Sequence, residues 1–318
     1  MGTHAFHALG IVALSADARG RLLSSSVDGA VALWDWDGED VHLAGSTASV
    51  QAASVDGEPF GCSAWATALH PDGSVFAAAG EGLHVALFSA DADTFGAGVR
   101  RFARGSPADV FGTKLAFNRD GSLLAAGTNQ GQVLLYDVAH GALITSIPDH
   151  AHPVRALCFT PPGTQFGDQL LVGSDDRTTT VHDVQRVLTL RIASTITSLQ
   201  GHKGWILDAQ SSGGGRIVAT SASDGMVRLW DLAASPVACV SVFAQRSPIW
   251  SVAWQPEATA NEGSADVDVS LLAPGANLVT GEDGGVLRRY RNAGAGGGRQ
   301  EEAARSKQSE TRSGAAVV

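Results

Sequence analysis

The chain has 318 residues, of which 44% are hydrophobic and 17% charged, a composition typical of a large folded core. Its formal net charge of −10 argues against a general binder of nucleic acid or anionic membranes, because phosphate groups are bound by clustered lysine and arginine. Three scattered cysteines without a CxxC pair, no signal peptide and no apolar run of about 18 residues predict an intracellular protein with reduced thiols and no membrane segment.

Six strand-like runs along the chain each end in an aromatic residue or a histidine. These closing residues are Trp34, Phe88, Tyr136, His182, Trp230 and Tyr290. A polar residue lies six or seven positions before each of them, and glycine follows it in five of the six cases, with Arg177 the exception. A polar residue followed by glycine between apolar runs is typical of a tight hairpin, because glycine adopts positive φ without a Cβ clash. Each unit therefore contains a predicted hairpin.

One strand leads into each hairpin turn, and another precedes that strand. The first strands are predicted at 11–15, 65–70, 113–118, 154–160, 205–210 and 249–255. The second strands are predicted at 21–26, 75–79, 123–127, 170–174, 217–221 and 277–281. Because helical spacing is nearly absent, the chain is predicted to be all-β, with six repeats over residues 1–291. Residues 37–60, 91–109, 184–198 and 257–275 are predicted insertions or long outer strands, and the Gly-rich, charged residues 292–318 a disordered tail.

The fifth unit is the most complete. Gly201-His202 opens it, Asp224-Gly225 forms its turn and Trp230-Asp231 closes it. This order resembles a WD repeat, which builds one four-stranded blade of a β-propeller. A single blade cannot bury both of its faces, so one blade implies a ring of blades. The resemblance implies a WD-repeat β-propeller, a fold that usually serves as a docking surface rather than as an enzyme.

In WD repeats a chain of hydrogen bonds runs from the tryptophan indole through a serine or threonine and the histidine to the aspartate. The resemblance assigns this network to Trp230, Ser221, His202 and Asp224, with partial versions at His7, Asp28 and Trp34 and at His150 and Asp176. Such a network gives each buried polar group a partner. His202, Ser221 and Asp224 are also the residue types of a hydrolase triad, an alternative that the repeat pattern disfavours.

Neither a metal nor a cofactor is expected. The pairs His4/His7 and His150/His152 are closely spaced, but no further ligand is adjacent in sequence. Neither a P-loop nor a GxGxxG motif after a strand occurs. We therefore expect a protein that is not an enzyme.

Large aromatic residues recur where the chain starts the first strand of a unit. Trp65 and Trp250 share one position, and Phe111 and Trp205 share another, which Pro153 occupies in the fourth unit. Packing between blades and exposure are both open for Trp65 and Trp250, whereas exposure is favoured for Phe111 and Trp205. Exposed aromatic residues and cations that converge on one face are typical of binding hot spots. We predict a partner-binding face made of Trp65, Phe111, Pro153, Arg155, Lys203, Trp205, Arg246 and Trp250.

Among WD-repeat proteins, the chain resembles the WD-repeat subunit of the superkiller (Ski) complex, which also occurs in the Paf transcription-elongation complex of animals. The resemblance rests on short stretches, including His150-Ala151-His152-Pro153-Val154-Arg155 and Leu199-Gln200-Gly201-His202-Lys203-Gly204-Trp205. It implies a non-catalytic adaptor in the cytoplasm and nucleus. The implied partners are a tetratricopeptide-repeat scaffold and an RNA helicase, which supply mRNA to the exosome for 3′-to-5′ decay. A role in meiotic recombination is implied by a fungal relative.

A ubiquitin-ligase substrate receptor or a chromatin-peptide reader is the alternative function on the same fold. The resemblance also implies seven blades, and this chain aligns from the second repeat onward. No fourth strand is evident after Tyr290. If the ring keeps seven-blade geometry, the first and last units should face a gap, and a true six-bladed ring is the alternative.

Overall fold

The computed structural model describes residues 7, 9–17, 20–36, 41–48, 54–55, 58–59, 64–103, 110–161, 168–254, 277–282, 286–291 and 300–302. Within these ranges the chain is all-β, as predicted, and forms six four-stranded antiparallel sheets that follow one another along the sequence. Each sheet is one blade of a six-bladed β-propeller, and the blades are numbered 1 to 6 in chain order. Neighbouring strands in a blade are also neighbours in sequence.

Blades 1 to 3 are each built from four short strands. Blade 1 consists of β1 (Ile11–Ala16), β2 (Leu22–Ser26), β3 (Val31–Trp36) and β4 (Val41–Thr47). A separate hairpin of β5 (Ser54–Val55) and β6 (Glu58–Pro59) follows. Blade 2 consists of β7 (Ala66–Leu69), β8 (Val75–Ala79), β9 (Ala86–Ser89) and β10 (Gly98–Arg101). Blade 3 consists of β11 (Gly112–Phe117), β12 (Leu123–Thr128), β13 (Gln132–Asp137) and β14 (Ala142–Pro148).

The last three blades repeat this arrangement. Blade 4 consists of β15 (Val154–Phe159), β16 (Gln169–Ser174), β17 (Thr179–Asp183) and β18 (Thr195–Leu199), with the helix α1 (Val184–Leu190) between β17 and β18. Blade 5 consists of β19 (Ile206–Ser211), β20 (Ile217–Ala222), β21 (Met226–Asp231) and β22 (Ala238–Ala244). Blade 6 consists of β23 (Ile249–Trp254), β24 (Asn277–Glu282), β25 (Val286–Arg291) and β26 (Gln300–Glu302). None of the helices in the described part of the chain is long and apolar enough to cross a membrane.

Adjacent blades pack face to face through the apolar side chains of their inner strands. Between blades 1 and 2, Leu33 lies in one cluster with Phe76 and Phe88, and the two rings stack with centroids 5.4 Å apart. Similar apolar clusters join blades 2 and 3, 3 and 4, 4 and 5, and 5 and 6. The closing residues lie inside these layers, and Phe88, Tyr136, His182, Trp230 and Tyr290 are all buried. The core is therefore distributed between blades, as burial of both sheet faces requires.

Blades 1 and 6 each leave one face open to solvent. Leu14 of β1 is 66% exposed, whereas the residues at the same register position of β11, β15, β19 and β23 are buried: Leu115, Leu157, Ala209 and Val252. Leu287 of β25 is 61% exposed, whereas the residues three positions before the other closing residues are buried: Val31, Val85, Val133, Thr179 and Val227. Within the described part of the chain, no apolar core cluster joins blade 6 to blade 1. These faces are exposed as expected for blades beside a gap.

The outer strands differ from the sequence prediction in two places. Gln300–Glu302 lie in the predicted disordered tail, yet they form β26 and give blade 6 its fourth strand. An outer strand pairs through its backbone, so it needs no apolar side chains that a sequence pattern could reveal. The predicted insertion at 184–198 contains α1, which Asp183 caps by accepting a hydrogen bond from the backbone N–H of Arg186. The other residues of 292–318 and the predicted insertion at 257–275 lie outside the described residues.

Candidate partner-binding face

The innermost strands all begin at one end of the propeller. Strand register aligns the first residues of β11, β15, β19 and β23, because each pairs with the residue eight positions before the closing residue of its blade. Phe111, Pro153 and Trp205 directly precede three of these first residues and therefore occupy equivalent positions. Arg246 is exposed in the connection before β23, at the same end. The structure thus brings the predicted residues to one rim.

β-Bulges place two further predicted residues near the start of the inner strands. The register of β15 shifts between Val154 and Ala156, and that of β23 shifts between Ile249 and Ser251. Arg155 and Trp250 are the extra residues at these two bulges. Since a bulge bends its strand and redirects the extra side chain, both residues depart from the strict alternation of a strand. Trp250 is exposed.

Trp65 and Phe111 form an aromatic pair across the boundary of blades 2 and 3. Their ring centroids lie 5.5 Å apart in an edge-to-face arrangement. Trp65 is partly exposed and Phe111 is half-buried. Exposure was favoured for Phe111, and the structure leaves it only partly exposed because the ring of Trp65 packs against it. This pair combines the two alternatives considered for the aromatic positions, packing between blades and exposure.

A surface pocket of about 430 Å³ opens between blades 4 and 5 on the same rim. Its walls come from the connections before β15 and β19 and from the β16–β17 turn, and they consist of His152, Pro153, Asp175, Arg177, Lys203, Gly204 and Trp205. Trp205 is 52% exposed, although burial of a tryptophan is strongly favourable. Three residues of the predicted face, Pro153, Lys203 and Trp205, thus line one concave site.

Arg155 holds the wall of this pocket together. Its guanidinium donates from Nε to Oδ1 of Asp175 over 2.5 Å and from Nη2 to Oδ2 over 2.9 Å. The same guanidinium lies 5.6 Å from the centre of the Trp205 ring, which is within the range of a cation–π contact. Arg155 therefore neutralises Asp175 and orients the exposed indole. Arg155 was predicted as a residue of the partner-binding face; in the structure it pairs with Asp175 and contacts Trp205, and a direct partner contact stays a prediction.

The hydrogen-bond network of blade 5 lies behind the pocket. Trp230 donates from Nε1 to Oγ1 of Thr220 over 2.8 Å, and Nε2 of His202 lies 2.9 Å from the same oxygen. Nδ1 of His202 lies 3.2 Å from Oδ2 of Asp224, which also accepts from the backbone N–H of Lys203 over 2.7 Å. This network ties the hairpin turn to the loop that carries Lys203 and Trp205.

The placement of Ser221 in this network was wrong. Trp230 pairs with Val218 across the hairpin, so the residues on its face of β20 are Val218, Thr220 and Ala222. Ser221 points to the opposite face, where its hydroxyl is buried and has no hydrogen-bond partner among the described residues. A triad of His202, Ser221 and Asp224 is therefore not formed. The described residues also contain no group of three or more His, Cys, Asp or Glu arranged to hold a metal ion.

Blades 1 and 4 contain variants of the same network. In blade 1, Nε2 of His7 lies 2.7 Å from Oγ of Ser24, which accepts from Nε1 of Trp34 over 2.8 Å. Asp28 accepts from the backbone N–H of Ala30 inside the turn and acts on His7 through its charge. Ser24 is equivalent to Thr220, ten residues before the closing tryptophan, and sequence reasoning missed both. A hydroxyl-bearing residue ten positions before the closing tryptophan is the sequence signal that could have identified both.

In blade 4 the closing residue is His182, and the network changes accordingly. Nδ1 of His150 lies 2.6 Å from Oδ2 of Asp176, as in blade 5, but Nε2 of His150 and Nε2 of His182 lie 3.1 and 3.0 Å from Oδ2 of Asp149. Thr180 also donates to Asp149. Asp149 was not among the predicted network residues. Its role arises because His182 replaces the closing tryptophan, and a second imidazole can pair with an acid where an indole cannot.

His150 and His202 occupy equivalent positions, but their pKa values shift in opposite directions. Burial lowers the pKa of His202, and the charge of Asp224 offsets this only in part. Burial also acts on His150, but the hydrogen bonds and charges of Asp149 and Asp176 outweigh it and raise the pKa of His150. Asp149 is buried as well, yet its bonds to His150 and His182 hold its pKa well below the usual range. Blade 4 therefore favours the charged form of its histidine, whereas blade 5 favours the neutral form.

Comparisons with known proteins agree with this architecture. The family model described as WD domain, G-beta repeat matches residues 193–231, and the model described as Anaphase-promoting complex subunit 4 WD40 domain matches residues 104–162. The first match covers β18 of blade 4 and three strands of blade 5, and the second covers all four strands of blade 3 together with β15. Two stretches of the six-bladed propeller are thus similar to WD40-repeat models.

Several curated relatives align with part of the chain. WD repeat and SOCS box-containing protein 1 of Danio rerio is 29% identical over 119 residues, which are 37% of this chain and 26% of the relative. Nuclear distribution protein PAC1 of Arthroderma otae is 31% identical over 131 residues, 39% of this chain and 27% of the relative. Anaphase-promoting complex subunit cdc20 of Dictyostelium discoideum is 30% identical over 135 residues, 42% of this chain and 25% of the relative. The chain spans about a quarter of the length of these relatives.

Proposed function

We propose that this WD-repeat propeller is a non-catalytic scaffold that binds a peptide segment of a partner protein on the rim where its innermost strands begin. The observation that carries the proposal is Trp205, a half-exposed indole held by Arg155 at the edge of a concave pocket. An aromatic side chain fixed by its neighbours loses little conformational entropy on binding, so its contacts add to affinity.

The remaining residues of the rim fit the same role. Trp65 and Trp250 are exposed around the same end, and Arg246 adds a cation near Trp250. Trp65 and Trp205 flank blade boundaries rather than the middle of a blade, so a bound segment would cross from one blade to the next. An extended peptide could contact two such positions at once, which raises affinity without any further pocket.

The chain's own sequence and its relatives favour different assemblies. The short stretches quoted above support an adaptor of the superkiller complex that acts in exosome-linked mRNA decay, in the cytoplasm and nucleus. Two of the relatives are instead described as a SOCS box-containing protein and an anaphase-promoting complex subunit, which favours a ubiquitin-ligase substrate receptor. Mass spectrometry of proteins that co-purify from cytoplasmic and nuclear fractions separates the two. A tetratricopeptide-repeat protein with a helicase supports the first, and a cullin-type ligase supports the second.

Peptide binding itself is tested with a phage-displayed library of random 12-residue peptides selected on the intact chain. Trp205→Ala should weaken the selected peptides by about 2 kcal/mol or more in titration calorimetry, as truncation of a binding hot spot does. Leu190→Ala is the matched control, because Leu190 is 50% exposed at the end of α1, on the opposite end of blade 4. Peptides that bind Trp205→Ala as tightly as the parent chain would contradict the proposed function.

A further inference from the structure

We infer that the pocket between blades 4 and 5 binds an acidic side chain, Asp or Glu, of the partner peptide. This inference rests on the proposed function and assigns the chemistry of its ligand. The pocket has an aromatic wall and two cations at its mouth, Arg177 and Lys203. The chain as a whole has a formal net charge of −10, so two cations at one pocket are not expected from its overall composition.

The acids around the pocket already have partners inside the protein. Asp175 forms its two hydrogen bonds with the guanidinium of Arg155. Asp176 is paired with His150, whose raised pKa favours its charged form. Asp224 accepts from the backbone N–H groups of Lys203 and Met226 and faces the ring of His202. Their charges are therefore directed into the blades rather than toward a ligand.

The two cations are arranged differently. Arg177 and Lys203 are both exposed, and neither side chain forms an ion pair with any residue in the described ranges. They come from different blades and line the same pocket. An acid placed between them would gain two charge-assisted contacts and would displace no internal partner. The pocket therefore complements a negative charge.

Arg177 also stands at a costly backbone position. Its φ is 73°, in the left-handed region, whereas the equivalent turn residues of blades 1, 3 and 5 are Gly29, Gly131 and Gly225 with φ of 83°, 83° and 75°. A non-glycine residue is disfavoured there, and such strain persists where the surrounding structure imposes it. Arginine at this position gives the pocket a cation, which glycine would not supply.

Trp205 and Pro153 determine which type of residue is preferred next to the acid in the peptide. Both line the pocket, and neither offers a hydrogen-bond acceptor to the ligand from its side chain. An apolar residue next to the acid would pack against the indole, while the carboxylate lies toward Arg177 and Lys203. The expected ligand is thus an acidic residue with an apolar neighbour.

The test uses the same 12-residue library with the intact chain. Peptides selected on the parent chain should be enriched in Asp and Glu, and replacing that acid with Asn or Gln should weaken binding at least tenfold, which corresponds to about 1.4 kcal/mol. Lys203→Glu should weaken the same peptides at least tenfold. Arg186→Glu on α1, which makes the same charge change at the other end of blade 4, should leave affinity within about twofold.

Arg177→Gly separates ligand binding from folding. This substitution removes the cation and relieves the strained φ, so thermal stability should be equal or higher while acidic peptides bind several-fold more weakly. If selected peptides show no acidic enrichment, or bind Lys203→Glu unchanged while Trp205→Ala abolishes binding, the inference is wrong and the proposed function stands. If no peptide is recovered, or Trp205→Ala retains binding, both are wrong.

Discussion

The open face of blade 1 makes a quantitative prediction from two leucines at one register position. Leu14 of β1 and Leu157 of β15 are equivalent, but Leu14 is 66% exposed and Leu157 is 2% exposed, in the cluster between blades 3 and 4. Burial of a whole leucine side chain is worth about 1.5–3 kcal/mol. Because only about a third of Leu14 is covered, Leu14→Ala should cost about 0.5–1 kcal/mol. Leu157→Ala also leaves a cavity and should cost about 3–5 kcal/mol.

Urea denaturation followed by tryptophan fluorescence and circular dichroism measures both losses on the same chain. The two variants should share one slope with urea, so that the difference in midpoint reports stability alone. Leu287→Ala and Val227→Ala provide a second pair at another equivalent position, exposed in blade 6 and buried in blade 5. Equal losses for Leu14→Ala and Leu157→Ala would refute the reasoning, since they would mean that the face of β1 is covered in solution.

Three further predictions concern the networks and the ends of the propeller. Thr220→Val should lower the free energy of unfolding by about 1–3 kcal/mol in the same assay, as should Asp224→Ala, because a buried histidine loses a partner; Ser221→Ala should be nearly neutral. Asp176→Asn should destabilise more at pH 6 than at pH 9. The raised pKa of His150 contributes stability that is complete below its ordinary value of 6.5 and is lost as pH rises through the folded value; equal losses at both pH values would contradict this. Amide hydrogen exchange should be faster in β1 and β25 than in the strands of blades 3 to 5, since their outward faces lack a covering blade; uniform protection would contradict that.

The repeat pattern was sufficient to predict the blades. Apolar runs, turn residues and a closing aromatic residue or histidine recur in each unit, and each is a local sequence signal for a strand or a hairpin. The same regularity predicted which residues begin the inner strands, and therefore that Trp205 and Pro153 lie on one rim. Strand β26 escaped prediction because its pairing depends on the backbone of β25 and not on its own side chains.

The predicted network was correct in its members from the loop and turn and wrong on the strand. His202 and Asp224 follow from their spacing to the turn, but the choice between Thr220 and Ser221 depends on which face of β20 meets Trp230. A shift of one residue reverses the face, and the pairing register across the hairpin decides it. In blade 4 the substitution of histidine for tryptophan brought in Asp149, from a loop whose distance to His182 is set only by folding.

The amino-acid sequence determined the fold, the number of blades and the rim on which large side chains gather, because these follow from periodicities of a few residues. Tertiary structure decided what each side chain does there. It placed Phe111 under Trp65, turned Arg155 onto Asp175 and Trp205, and left Arg177 and Lys203 exposed at one pocket. Contacts between blades join residues far apart in sequence through register, bulges and turn geometry, and no local pattern encodes such distances.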